Sequence, residues 1–521
     1  MSFKRLAIGS VAATILFTGV HSALTAAPAR AVVVPVFDWV AAHTDSLKGV
    51  SSGFSQVHGI SFDSQDGDLY LASFFTATTD FDPSAGTDSI APVGGNDVFL
   101  SKFSSSGAYQ WTKTWGSTLS DYSYSTGIDG DGNVTVAGAF RSTMDLDPGA
   151  GTDNATSNGG LDTFVVKLDS TGAYQWGATW GYTGDEEVTA NTASGPDGSV
   201  YVLNPFLGTI DFDPGAPAAS STSAGSWDGY VSKFNASGTW QWTKTWGGTS
   251  HDLPSRVRIA SDGSVYVLGR FYSTSDFDPG AGTENKTSAG DADAFLLKLD
   301  SDGLFQWVQT WGGTGFDTVY DFAFDASGNI YITGEFSGTV DFDTGAGTSN
   351  ATSTGSSDAF LSKFNSSGTW QWTKTWGGTG ADKGLGVEMT TDGLVAFGNF
   401  TGTVDFDPSG GTSNKTSAGG LDAFISTFDT DGTHHRTDTF GGTLDDYPDS
   451  RAPQGITSSM SNVVFSGFYK SAPADFNPAG AKEEYSSNGT SMYLISFDLI
   501  EPAVTVSSTA ATVTEGASDE A

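Results

Sequence analysis

The eight residues QWTKTWGG, from Gln241 to Gly248, return with small changes about every 65 residues, and the sequence around them returns too. The second tryptophan of the block falls at Trp115, Trp180, Trp246, Trp311 and Trp376, in steps of 65, 66, 65 and 65, and Phe440 takes the same place 64 residues later. An Asp-x-Asp block keeps this step, beginning at Asp80, Asp145, Asp211, Asp276, Asp341, Asp405 and Asp475, which makes seven copies. Repeats of this length mean solenoids, propellers or arrays, so the unit has to be understood before any single residue.

One copy reads as four strands. Arg258-Ile259-Ala260, a turn at Ser261 to Ser264, and Val265-Tyr266-Val267-Leu268-Gly269 form a hairpin. A long Gly/Ser/Thr-rich loop follows, then Asp293 to Leu299, an Asp302-Gly303 turn, and Leu304 to Trp311. The second strand is apolar on both faces, as a strand between neighbouring sheets should be, whereas the last alternates. Residues two apart in a strand share a face, so Trp111, Lys113 and Trp115 project together and Thr112 and Thr114 project oppositely. A tryptophan that recurs in every unit packs between units as a rule, and no chemistry is assigned to it.

The ends of the array complement each other. The chain enters the array on an outer-strand copy, Val36-Phe37-Asp38-Trp39-Val40, and the last copy stops after Met492 to Phe497, before any outer strand. The expectation is an all-β, seven-bladed β-propeller of four-stranded blades of about 65 residues, occupying 32–500 and closed by the N-terminal strand.

Outside the array, Lys4 and Arg5, the apolar run Leu6 to Val20 and Ala29-Arg30-Ala31 read as a secretory signal over 1–31. Its removal takes three basic residues and moves the formal charge from -37 to -40, which makes nucleic acid an unsuitable partner. No later segment has the roughly twenty apolar residues of a membrane helix. With no cysteine, disulfides and thiolate chemistry are excluded. Residues 501–521 carry Ala503 to Ser508 and Thr512 to Gly516, which look like the opening strands of a Calx-beta or immunoglobulin-like surface domain.

The hairpin Ser327 to Gly334 followed by Asp-Ala-Phe-Leu-Ser-Lys-Phe at Asp358 to Phe364 resembles the bacterial β-propeller repeat family known as SBBP, over about residues 36–498. The resemblance implies the propeller fold and an exported or surface location, and it supplies no catalytic residues.

Fifty of the 60 acids are Asp, the carboxylate of turns and of oxygen-ligand metal loops. In an up-and-down blade the loop between strands two and three shares a face with the loop to the next blade. Asp121, Glu186, Asp252, Asp317, Asp382 and Asp446, six residues after each tryptophan position, add to that face, which is expected to be strongly anionic. Two readings of the Asp-x-Asp blocks stand. The Asp-Pro-Gly step, as at Asp278-Pro279-Gly280, is the signature of a type II turn, with the Asp oxygen bonding the turn amides. Alternatively Ca2+ is held by Asp80 and Asp82, Asp145 and Asp147, Asp211 and Asp213, Asp276 and Asp278, Asp341 and Asp343, and Asp405 and Asp407, because neighbouring carboxylates repel unless a cation relieves them. In the last copy Asn477 replaces the second Asp.

A position repeated in every blade cannot mark a unique site, so a unique site must lie in departures from the repeat. After the glycine of the second strand the residue varies as Ala139, Arg270, Glu335 and Asn399. Arg270, Glu335 and Asn399 are therefore candidate ligand residues at a channel mouth, with an ordinary inter-blade ion pair of Arg270 and Glu335 as the plainer reading. The lysines Lys102, Lys167, Lys233, Lys298 and Lys363 repeat and read as structural. No serine elbow, phosphate loop or zinc-protease block occurs, and His434-His435 makes a poor metal clamp because strand neighbours face opposite sides. The expectation is an exported, non-enzymatic binding, adhesion or structural module for a surface carbohydrate or protein. An exported lyase or hydrolase working at the channel mouth is the competing class.

Overall fold

Turn glycines decide where each repeat reverses direction. Gly263 and Gly303 sit at φ of 82° and 74°, a left-handed conformation that glycine adopts without strain, and each closes a hairpin in the fourth repeat. Between such turns the apolar alternation lays down strands. The computed structural model describes residues 57–448 apart from 64, 83, 85, 185–189, 216–217 and 392, together with the strands Val34–His43, Ile456–Ser458, Asn462–Tyr469, Ala474–Asp475, Glu484–Tyr485 and Ser491–Ile500. Side chains are described between Gly59 and Asp446. The expected signal segment and the tail from 501 lie outside these residues, as do Glu186 and Asn477.

The described residues are all-β, without a helix, in a propeller arrangement. In the second repeat Tyr122–Ile128, Val134–Phe140, Asp162–Leu168 and Tyr174–Trp180 pair antiparallel in chain order. The same four-stranded sheet recurs in the first, fifth and sixth repeats, and the third and fourth are joined into one eight-stranded sheet by Gly247 and Gly248 pairing with Asp276 and Ser275. First strands are innermost. Val57–Phe62 touches Tyr122–Ile128, which touches Asn191–Ser194, then Asp252–Ile259, Thr318–Phe324 and Lys383–Thr390 in turn. At the other end of the array Val34–His43 pairs antiparallel with Ser491–Ile500, Trp39 opposite Ser496, as the outermost strand of the last repeat.

The core lies between sheets. Trp115 is 4% exposed and clusters with Val134, Val136, Phe140 and Phe164 of the following repeat. Trp180, Trp246, Trp311 and Trp376 are buried in the same way, each against the next repeat's third strand. Every residue of Val134–Phe140, Val200–Phe206 and Ile330–Phe336 is buried, as expected of a strand covered on both faces. At an aromatic burial of about 150–250 Å² and about 25 cal/mol per Å², each such tryptophan contributes up to about 4–6 kcal/mol to holding two repeats together.

Lysines clip the same interface. Lys102 Nζ is 2.8 Å from Asp68 and donates to the Ser170 carbonyl of the next repeat, and Lys167 does likewise with Asp129 at 2.7 Å and the Gly198 carbonyl. Their structural role is as expected.

The tryptophan wedge has one variable partner. Trp180 Nε1 donates to the Tyr230 hydroxyl at 2.8 Å, whereas the indole N–H groups of Trp115, Trp246, Trp311 and Trp376, which face phenylalanine at that position, have no acceptor. Tyr230→Phe is therefore expected to lower stability by about 1 kcal/mol, read as a lower melting midpoint in circular dichroism, with no change of fold.

Candidate functional site

The long loop between strands two and three is not irregular. It carries a short antiparallel ribbon, Thr143–Asp145 against Asn154–Thr156 in the second repeat, fastened by the hydroxyl pair Thr143–Thr156 at 2.8 Å. The middle residue of each Asp-x-Asp block is the reason the ribbon folds down. Phe81, Leu146, Phe212, Phe277, Phe342 and Phe406 are at most 3% exposed and plug the end of the blade, Phe277 lying 5.2 Å from Phe271 edge to face. Alternation along the ribbon then turns the flanking carboxylates the other way.

Both carboxylates serve the backbone. Asp276 Oδ1 accepts the amides of Asp278 at 3.1 Å and Glu284 at 2.8 Å, and Asp278 Oδ1 accepts that of Gly280 at 2.8 Å. Asp80 with Asp82, Asp145 with Asp147, Asp211 with Asp213, Asp341 with Asp343, and Asp405 with Asp407 repeat this set. The expected type II turn is corrected: Gly149, Gly280 and Gly345 lack the positive φ that type requires, and the side-chain oxygen closes the turn instead. Four residues after the second Asp most repeats carry a glycine, where the carboxylate packs closely: a Cβ on Gly282 would lie 2.0 Å from Asp278 Oδ2, which would have to move, and the third repeat has Pro217 there. Among the described residues no three or more His, Asp or Glu side chains gather into a group able to hold a metal ion.

The described members of the second acidic set do not face solvent, which corrects their part of the expected anionic face. Asp121, Asp252, Asp317, Asp382 and Asp446 are at most 1% exposed. Asp252 Oδ2 accepts the Gly248 amide at 2.8 Å, and Asp317 accepts those of Gly313 at 2.7 Å and Ser337 at 3.0 Å. Beside them lies a third buried set at the start of the third strand: Asp97, Asp162, Asp228, Asp293, Asp358 and Asp422. Burial pushes Asp252 and Asp422 up to about 7, helped by the facing carboxylates of Asp228 and of Asp446 and Asp445 respectively. Burial likewise pushes Asp162, Asp228, Asp293 and Asp382 up to about 6.

The departures from the repeat that converge are on the first strands. A β-bulge falls just before Arg256, between Pro254 and Arg256, and another just before Asp321, between Val319 and Asp321, and bulges re-aim the side chains that follow. Corresponding positions in the repeats read Gly59, Ser125, Asn191, Arg256, Asp321 and Gly386, and two residues on Ser61, Gly127, Ala193, Arg258, Ala323 and Glu388. Where the residue is an acceptor it takes an amide of the next repeat: Ser125 that of Thr192, Asn191 that of Val257, Asp321 that of Val387. Arg256 breaks the pattern. Its Nε lies 3.0 Å from Asp321 Oδ1, and Arg258 Nη2 lies 3.2 Å from both Asp321 Oδ1 and Glu388 Oε2. Four ionic groups from three repeats thus meet on the inner strands. Arg256, Arg258 and Glu388 border a polar cavity of about 210 Å³ whose other walls come mainly from the first strands of the first three repeats.

Burial pulls Arg256 down to about 10, so it remains a cation at neutral pH, and burial raises the Glu388 carboxyl. No local motif marks either arginine or its partners; they differ from the repeat only within the first-strand columns, where small or neutral residues stand in the other copies.

Glu335 and Asn399 both neighbour Lys383, and Arg270 acts on Tyr320, the residue that donates to Glu335. The expected Arg270–Glu335 pair is corrected: among the described residues no ion pair joins them. Glu335 instead binds Lys383 of the next repeat at 2.8 Å, the Ser357 hydroxyl at 2.7 Å and the Tyr320 hydroxyl at 2.5 Å. Arg270 lies over the Phe316 ring, 5.6 Å from its centre, and Asn399 is buried opposite Lys383 in the strand register. His434 and His435 point to different partners, Thr437 and Asp429.

No family model matches the chain. It is 27% identical over 212 residues to the regulatory protein FlaEY of Caulobacter vibrioides, covering 39% of this chain and 21% of that protein. It is 23% identical over 394 residues to an uncharacterized WD repeat-containing protein, L264, of Acanthamoeba polyphaga mimivirus, covering 64% of this chain and 28% of that one. The chain thus spans between a fifth and a third of these relatives. Among solved structures it is similar to the polysaccharide lyase Uly1, with a TM-score of 0.40 at 8% identity over 87% of this chain and 93% of that one. It is similar also to the Pan2 WD40 domain of Neurospora crassa, with a TM-score of 0.38 at 10% identity over 88% and 95%.

Two outcomes are expected from this geometry. Because Asp276 Oδ1 already holds two amides, Asp276→Ala should lower the melting midpoint by the equivalent of about 1–3 kcal/mol, and by the same amount with millimolar calcium as with chelator. The buried carboxyls have folded pKa values above their unfolded value, so the native state binds the protons more tightly. Their contribution is full below about pH 4 and is lost as pH rises through 6 to 7. The melting midpoint should therefore be higher at pH 5 than at pH 8, and Asp252→Asn should raise it at pH 8 while leaving pH 5 nearly unchanged.

Proposed function

We propose that this chain is an exported seven-bladed β-propeller of the SBBP kind, acting at the cell surface or in secreted form as a non-enzymatic binding module. Its partner, a surface carbohydrate or protein, engages the axial end of the disc. Support for seven blades comes from the inner strand Ile456–Ser458, which touches both Lys383–Thr390 and Val57–Phe62, and from Val34–His43 standing beside Ser491–Ile500. Support for export comes from the pattern of residues 1–31. Residues 501–521 are read as the opening of a following surface domain.

The observation that carries the binding role is the ion cluster of Arg256, Arg258, Asp321 and Glu388 on the inner strands, three of whose members line a polar cavity, in an array built largely from repeated parts. Each of these groups is paired with another, and no nucleophile stands beside a free base among them. A lyase or hydrolase is the second reading. It is favoured by acid and base groups from adjacent repeats meeting at Tyr320, Glu335 and Lys383, where the phenol, held above its ordinary range by burial and by Glu335, is kept protonated.

The two separate in one assay. Residues 32–500, immobilised, should retain a surface polysaccharide or protein from the producing cell without releasing reducing or unsaturated ends. Release of such ends, abolished by Glu335→Gln, overturns the binding reading in favour of the enzyme. Recovery of a product still carrying residues 1–31 on the outside of the cell overturns the signal assignment.

A further inference from the structure

The axial cavity has a chemical bias that its ion pairs leave unspent. Arg256, Arg258 and Ser194 all line it, and Arg256 Nη1, Arg258 Nε and the Ser194 hydroxyl oxygen are closed off from solvent without a hydrogen-bond partner. The Arg256 side chain is only 7% exposed, so its free N–H is not simply turned to bulk water. A buried guanidinium donor left unmatched is costly, more so than an unmatched neutral amide. The two carboxylates nearby are already engaged: Asp321 by both arginines and by the Val387 amide, Glu388 by Arg258. The charged lining of the cavity is two guanidiniums against one carboxylate, Glu388, so a cation meets a surplus of positive charge there and an acceptor group meets a favourable one. The cavity of about 210 Å³ far exceeds the about 10–15 Å³ needed to admit one water, so it has room for more than solvent singly placed.

We infer that this cavity is a binding site for an oxyanion, a carboxylate, sulfate or phosphate group carried on a polar ligand, held by Arg256 and Arg258 and bordered by Ser194. The inference rests on the reading of the axial cluster as the recognition site and names the chemistry recognised there.

Gly127 provides a clean way to close the site. A Cβ there meets nothing nearer than 3.5 Å, and the residue lines the cavity without touching the ion cluster, so Gly127→Leu fills the space and leaves the arginines paired. Arg256→Lys keeps a cation beside Asp321 and removes Nη1. The test is calorimetric titration of residues 32–500 with sodium phosphate, sodium sulfate and sodium acetate at matched ionic strength, alongside melting midpoints. The expected result is saturable binding of at least one of the three, weakened about tenfold or more in Arg256→Lys and lost in Gly127→Leu. Binding that is the same in Gly127→Leu is a general salt effect and overturns the inference, as does the absence of saturable binding by all three. A polymer-borne group is distinguished from a free ion by the retained partner: competition by the bound ion assigns the group to that partner, and binding without competition assigns the site to a free oxyanion. If Gly127→Leu abolishes partner retention although no oxyanion binds, the inference fails and the axial recognition site stands. If retention survives Gly127→Leu, the recognition site itself is elsewhere.

Discussion

The tryptophan that ends each repeat has no place to be buried within its own sheet. Trp115 reaches Phe164, Trp246 reaches Phe295, and Trp376 reaches Phe424 and Phe428, always in the repeat that follows. The hydrophobic clusters consequently straddle pairs of repeats, and a single sheet of four strands owns half of two cores rather than one of its own. An array built on such contacts gains stability with every neighbour added, and an outermost pair of open faces is a standing cost. Pairing of Val34–His43 with Ser491–Ile500 removes one open edge at the join. The same interface explains the lysines, whose charged heads cross to carbonyls of the next repeat where an alanine would leave a gap.

The period, the four strands and the covered second strand were legible because each is written in side-chain alternation and turn glycine, which act over a few residues. The ribbon over the blade end was not. Gly, Ser and Thr in that segment read as loop by composition, and its strands exist because Phe277 and its counterparts fold back onto Phe271 and Phe295, a contact local composition cannot express. The same contact decides what the Asp-x-Asp block is: the apolar middle residue anchors it, and the acids on either side accept amides.

Charge was the least legible feature. A count of Asp on two loops predicts an anionic face, but the count does not distinguish Asp405, exposed on its ribbon, from Asp252, whose carboxyl lies inside the blade junction with a like-charged neighbour. Geometry makes that difference. Glycine after the tryptophan lets the chain pass against the third-strand carboxyl, as where a Cβ on Gly312 would lie 2.4 Å from Asp293 Oδ1, and the loop then wraps Asp317 under its own amides. Carboxyls so placed favour the protonated form, so part of the formal negative charge is not expressed at the surface near neutral pH.

Against this background the axial cluster is anomalous in a way packing does not explain. Gly59, Ser125, Asn191 and Gly386 show that the position of Arg256 and Asp321 is filled acceptably by small or neutral residues. Gly127, Ala193 and Ala323 show the same for the position of Arg258 and Glu388. Desolvating two guanidiniums and two carboxylates costs several kcal/mol per ion, and their mutual attraction returns that only where every donor and acceptor is matched. Here the matching is incomplete, since a donor on each arginine is left over. A chain that could close the axis with glycine and serine, and does so on the first repeats, has no stability reason to place incompletely matched ions on the others. The cluster is therefore a departure from the repeat that the packing of the array does not require.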